Sequence, residues 1–126
     1  MKIGQLARTA EVSIDTVRFY ERRGVLPRPQ RQPSGYRTYD ETTIERIRLA
    51  RSLQRLGLTL DEVVDALHAH DRGNATCATE RWRLETVLER IDGRIADLKR
   101  VRHDVVGVLA ECDAGRCRMM VEPVGA

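Results

Sequence analysis

The sequence predicts a mainly α protein: a winged helix-turn-helix DNA-binding domain followed by one long helix that forms a coiled-coil dimer. Three observations carry this. Two short amphipathic segments joined by a tight turn open the chain, and a Pro- and Gly-rich stretch with a short alternating strand follows. Apolar residues then recur at heptad spacing over about four repeats.

Ile3, Leu6 and Ala7 fall at helical spacing and give a first helix, with Thr9 to Val12 as a turn. Ser13 is a good N-cap for a second helix from Ile14 to about Arg23, and Gly24 supplies its stop. Helix, turn and helix within about twenty residues is the helix-turn-helix pattern. Pro27, Pro29, Pro33 and Gly35 break regular structure, and Ser34 to Tyr39 reads as a turn and a short strand, the wing. Asp40 caps a third helix with an apolar stripe of Ile44, Ile47, Ala50, Leu53 and Leu56, ended by Gly57. Thr59 and Glu62 form a capping box for a fourth helix, whose Val63, Val64 and Leu67 face inward.

Residues 1–70 are thus read as the DNA-binding domain and 71–76 as a linker. Residues 77–111 are the dimerisation helix, capped by Thr76, and 112–126 a short metal-binding loop and C-terminal tail. Leu84, Leu88, Ile91, Ile95, Leu98, Val105 and Leu109 form the seam of the long helix, with Arg102 in its one polar slot. Such a helix has no core of its own, so a second copy is expected to cover the seam, making a homodimer.

Charge divides the chain in the same place. Residues 1–60 carry 12 Lys and Arg against 6 Asp and Glu, whereas residues 61–126 carry 10 against 13. A basic half points to a polyanion partner. The longest apolar run, Val105 to Ala110, is too short to span a membrane, so no membrane partner and a cytoplasmic location are expected. In that compartment three cysteines read as thiols or metal ligands rather than a disulfide framework. No Cys-x-x-Cys, phosphate-binding glycine loop or nucleophile–base pair is visible, so an enzyme is not expected.

A recognition helix presents short or forked polar side chains near its N-terminus. Ser13, Asp15, Thr16 and Arg18 stand there, and Arg18 can reach a guanine edge or a phosphate. Tyr20 and Arg22, with Arg23, suit backbone contacts, as do Tyr36 and Arg37 in the wing. Solvated Arg22 and Arg23 favouring the helix macrodipole are the competing reading. Phe19 is expected in the core.

Ile3-Gly4-Gln5-Leu6-Ala7, Thr16-Val17-Arg18-Phe19-Tyr20-Glu21, Gly24-Val25-Leu26, Gly35-Tyr36-Arg37-Thr38-Tyr39 and Leu56-Gly57-Leu58-Thr59-Leu60 resemble the MerR family of bacterial transcription regulators. The resemblance implies an antiparallel coiled-coil homodimer on double-stranded promoter DNA. It also implies activation by bending and untwisting an over-long promoter spacer so that RNA polymerase reads both elements. Divalent soft-metal sensors of that family carry a cysteine at the start of the dimerisation helix, which this chain matches at Cys77. Copper, silver and gold sensors usually have serine there, and iron–sulfur relatives carry four clustered cysteines in the tail. Only Asp113 to Arg116 separate Cys112 from Cys117, fewer residues than in most such metal loops.

In one straight helix Cys77 and Cys112 stand roughly 50 Å apart. Once an antiparallel pairing is accepted, Cys77 of one protomer meets Cys112 and Cys117 of its partner, making two three-thiolate sites. Three soft sulfurs select a thiophilic divalent ion: Hg²⁺ first, then Pb²⁺, Cd²⁺ or Zn²⁺. The alternative is a thiol redox sensor of the same fold, switched by oxidation of Cys112 and Cys117. His68 and His70, two residues apart, read as surface residues, as does His103; Met119 and Met120 read as apolar cover for the metal loop, and Trp82 as a residue near the domain junction.

Overall fold

The computed structural model describes residues 1–27, 30, 31, 35 and 37–116. Five helices and one small ribbon follow in the order α1 (Ile3–Ala10), α2 (Ile14–Arg23), β1 (Gln30–Arg31), β2 (Arg37–Thr38), α3 (Glu41–Arg55), α4 (Leu60–Asp71) and α5 (Cys77–Asp113). They divide into two units, Met1–Val87 and Leu88 onward.

In the first unit, α1 buries Leu6, Ala7 and Ala10 along one side. Its turn into α2 rests on Glu11, which adopts a left-handed φ of 59° and donates its N–H back to the carbonyls of Ala7 and Arg8. An L side chain is strained there, at a cost of about 1 kcal/mol. Glu11→Gly is therefore expected to raise stability by roughly 0.5–1 kcal/mol, read as a higher midpoint in urea. An unchanged or lower midpoint would show that the Glu11 backbone carries no strain.

Ser13 caps α2: its hydroxyl accepts from the Thr16 N–H at 3.0 Å and exchanges a 2.9 Å bond with the Thr16 hydroxyl. Gly24 closes the helix at φ 83°, as expected. The wing is a two-residue antiparallel ribbon, Gln30 opposite Thr38 and Arg31 opposite Arg37. Its exit is pinned to the start of the chain. The Tyr39 N–H donates to the Met1 carbonyl at 2.9 Å and the Met1 amino group donates to the Tyr39 carbonyl at 2.7 Å. The Tyr39 hydroxyl donates to the Glu21 carboxylate near the end of α2, tying the exit of the ribbon to that helix.

α3 buries Ile44, Ile47 and Ala50, but Leu56 leaves the predicted stripe and is exposed. The Thr59–Glu62 capping box is present with both bonds, and α4 buries Val63, Leu67 and Ala69. Gly57, at φ 102°, has a second constraint: a Cβ there would stand 3.1 Å from Val87 Cγ1. Val87 thereby docks the first turns of α5 on the core that α1–α4 share.

Arg46 knots these elements together. Its Nε donates to the Val25 carbonyl at 2.6 Å, and its two terminal nitrogens grip Asp71 at 2.7 and 2.9 Å. Asp71, read from sequence as linker, is instead the last residue of α4, held there by this fork. The Arg46 hydrogen bonds hold the Asp71 carboxyl below its ordinary value. A depressed carboxyl stabilises the fold above its unfolded pKa and releases that stability as pH falls through the folded value. Stability should therefore fall below about pH 4. Asp71→Asn should cost about 1 kcal/mol at neutral pH and flatten this acid limb, since Asp71 is half exposed. Identical acid limbs in variant and parent chemical melts would contradict this.

The second unit is helical from Leu88 to Asp113. The seam residues Leu88, Ile91, Ile95, Leu98, Val105 and Leu109 are exposed, as is Val101 beside Arg102. Covering each would contribute about 1 kcal/mol or more. The helix runs two residues past its predicted end at Glu111. Cys112 therefore lies in its last turn, not in a loop, and Gly115 at φ 78° follows.

Candidate DNA interface and thiol positions

The inner face of α2 is set by Val17 and Tyr20, three residues apart and both buried. The opposite face then carries Asp15, Arg18, Phe19 and Arg22, at i, i+3, i+4 and i+7, all exposed. Ser13 and Asp15 open the helix, and the half-buried Thr16 shares its hydroxyl with Ser13. Arg18 projects from the first half of the helix, where a side chain best reaches base edges. The Asp15 carboxylate favours the positive end of the helix dipole.

Two aromatic assignments exchange places. Tyr20, expected at the DNA backbone, is only 3% exposed, and its hydroxyl donates to Gln54 Oε1 of α3 at 2.6 Å. It closes the core and is withdrawn from the DNA face. Phe19, expected in the core, is 39% exposed. The guanidinium carbons of Arg22 and Arg23 lie 5.8 and 5.7 Å from its ring centroid, within cation–π range. The signal was in the spacing: two residues from Val17 is about 200° around a helix, away from the core. Sequence reasoning also missed the partner of Arg23, which donates to Asp61 in the first turn of α4 at 2.7 Å. Arg22 remains exposed at the end of the reading face. Arg37 lies in β2; Tyr36 falls outside the described residues.

Cys77 is the first residue of α5, and Thr76 caps that end, its hydroxyl accepting from the Thr79 N–H at 3.1 Å. Cys112 stands in the last turn of the same helix; both thiols are exposed. Cys117, Met119 and Met120 lie outside the described residues. Among the described residues no three His, Cys, Asp or Glu side chains gather in a metal-holding group, and no helix is long and apolar enough to cross a membrane. His68, His70 and His103 are exposed, as expected, and Trp82 stands in the second turn of α5 with its ring 4.5 Å from the Arg83 guanidinium carbon.

A capped helix presenting arginines, a tight turn before it and a ribbon after it define a sequence-reading DNA-binding protein. The chain belongs to the MerR family: the family of MerR HTH regulatory proteins matches residues 1–70, and the MerR DNA-binding family matches residues 44–108. It is a regulator and not an enzyme. It is 35% identical over 111 residues to a mercuric resistance operon regulatory protein of Bacillus cereus, covering 88% of this chain and 84% of that one. Its fold is similar to the crystal structure of the transcription regulator PbrR691 from Ralstonia metallidurans CH34 in complex with lead(II). The TM-score is 0.83 at 26% identity, covering 97% of this chain and 91% of that one. It is also similar to the MerR regulator of Bacillus megaterium MB1 in complex with mercury(II). There the TM-score is 0.67 at 30% identity, with 98% and 91% covered.

Proposed function

We propose that the protein is a mercury-responsive transcription regulator. It binds a promoter pseudo-palindrome as an antiparallel coiled-coil homodimer and activates transcription by distorting the DNA when the metal binds. Each of two metal sites takes Cys77 from one protomer and Cys112 and Cys117 from the other. The observation that carries this reading is the placement of two exposed thiols at opposite ends of one 37-residue helix whose apolar seam is exposed. An antiparallel pair covers the seam and brings unlike ends together in the same step.

The donor set fits a soft ion. Bound metal supplies strong bonds to thiolate sulfur that cross-link the two protomers at each end of the coiled coil. Hg²⁺ suits three sulfurs, with Pb²⁺ and Cd²⁺ next, whereas Zn²⁺ asks for a fourth ligand. Relatives named for mercuric resistance and structures holding mercury(II) or lead(II) support the same class of ion. On the output side, Ser13, Asp15, Thr16, Arg18 and Arg22 read the major groove and its edges from α2, and the wing, with Tyr36 and Arg37, grips phosphates. RNA polymerase is the partner that reads the distorted promoter.

The test is a titration of the reduced protein with Hg²⁺, Pb²⁺, Cd²⁺ and Zn²⁺, following thiolate-to-metal absorption. Two Hg²⁺ per dimer, retained against the other three ions, is the expected result. A protein showing no such absorption with any of them is not a metal sensor of this kind.

A further inference from the structure

Arg83 stands out on α5. Its neighbours Arg81, Trp82 and Leu84 are exposed, yet the Arg83 side chain is only 11% exposed and paired with two carboxylates. Its Nη1 donates to Asp65 Oδ2 on α4 at 2.6 Å, and its Nε donates to Glu80 Oε1 one turn back at 3.1 Å. The plane of Trp82 lies beside it. Such a fork holds direction as well as charge, because a guanidinium donates along fixed vectors.

The partner on α4 has a second meaning. Asp65 lies four residues after Asp61, so both carboxylates share one face of α4. Asp61 receives Arg23 from the end of α2. One face of α4 therefore carries two carboxylates that accept from two different elements: the arginine ending α2 and the arginine six residues into the helix that begins with Cys77. Arg23 in turn lies against Phe19 on the reading face. The two joints differ in exposure: the Arg23 and Asp61 side chains are 43% and 88% exposed, whereas Arg83 is 11% exposed against an Asp65 that is 64% exposed.

We infer that Arg83 is a positioning residue that couples the Cys77 end of α5 to the recognition helix, through Asp65 and Asp61 on α4. The inference rests on the reading above that α2 is the output and the Cys77 end of α5 the input. Coupling between two sites is reciprocal in binding free energy, so if an event at Cys77 alters DNA binding, DNA bound at α2 is expected to alter the state of the Cys77 end of α5. This gives a test that needs no metal.

The full chain carrying Cys112→Ser and Cys117→Ser leaves Cys77 as its one thiol. Its alkylation rate by iodoacetamide is measured with and without a duplex that the protein itself selects from a random library. The expected result is a rate ratio of threefold or more. Arg83→Met and Asp65→Asn should each bring the ratio to one, as should the two together, and Arg83→Lys should restore most of it. Free-protein alkylation rates and duplex affinity should stay within twofold throughout. A ratio of one in the parent, or a parental ratio in Arg83→Met, overturns the proposal. So does a loss of duplex affinity in Arg83→Met as large as the loss of coupling, which is what a merely structural role would give. Because no metal is added, a failed mercury titration and a failed coupling measurement remain separate results.

Discussion

Arg18→Ala is expected to remove about half or more of the free energy of sequence-specific DNA binding while leaving the fold intact. Arg18 is exposed on the face of α2 opposite Val17 and Tyr20, so its truncation opens no cavity. A bidentate arginine–guanine contact discriminates by about 1–3 kcal/mol, and the proposed dimer would make it twice, giving about 2–6 kcal/mol in all. That is about half of the margin between specific and non-specific binding, about 4–10 kcal/mol. Binding to any duplex should persist, carried by phosphate contacts, with the steep salt dependence those impose. The measurement is a footprint with a competitor titration. Arg18→Ala protein that still protects the parental footprint would remove α2 from the reading role.

Cys77→Ser is expected to have the other large effect. Losing a partner that only orients a metal ligand costs about 10–100-fold in affinity, so losing one of three ligands should cost more than about 100-fold. Cys77 is exposed at the first position of α5 and serine differs from it only by oxygen for sulfur, so the variant should fold and bind DNA as the parent does. Transcription from the target promoter should then ignore Hg²⁺. A variant that keeps parental mercury affinity would leave Cys77 out of the site.

Much of this was legible in the sequence because local chemistry dictated it. The caps at Ser13, Thr59 and Thr76 and the stop at Gly24 each follow from side-chain type and spacing alone. What escaped were choices that depend on elements far apart in the chain. Tyr20 is buried because Gln54, 34 residues on, meets its hydroxyl. Asp71 belongs to α4 because Arg46 holds it, 25 residues back. Arg83 looks like one more charge on a solvated helix until Asp65 is placed beside it. The thiols are the reverse case: their types and places in the chain were plain, and the proposed site draws on a second copy of the chain.

The most direct measurement therefore mixes two inactive chains. One carries Cys77→Ser; the other carries Cys112→Ser and Cys117→Ser. Each homodimer has no complete three-thiolate site. A heterodimer of the two has one, made by Cys77 of the second chain with Cys112 and Cys117 of the first. After unfolding and refolding together, the mixture should gain one Hg²⁺ per heterodimer held by three thiolates, read as absorption of a three-sulfur mercury site beyond the sum of what the two chains show alone. A mixture that binds no more mercury than its separate components would contradict the cross-protomer site.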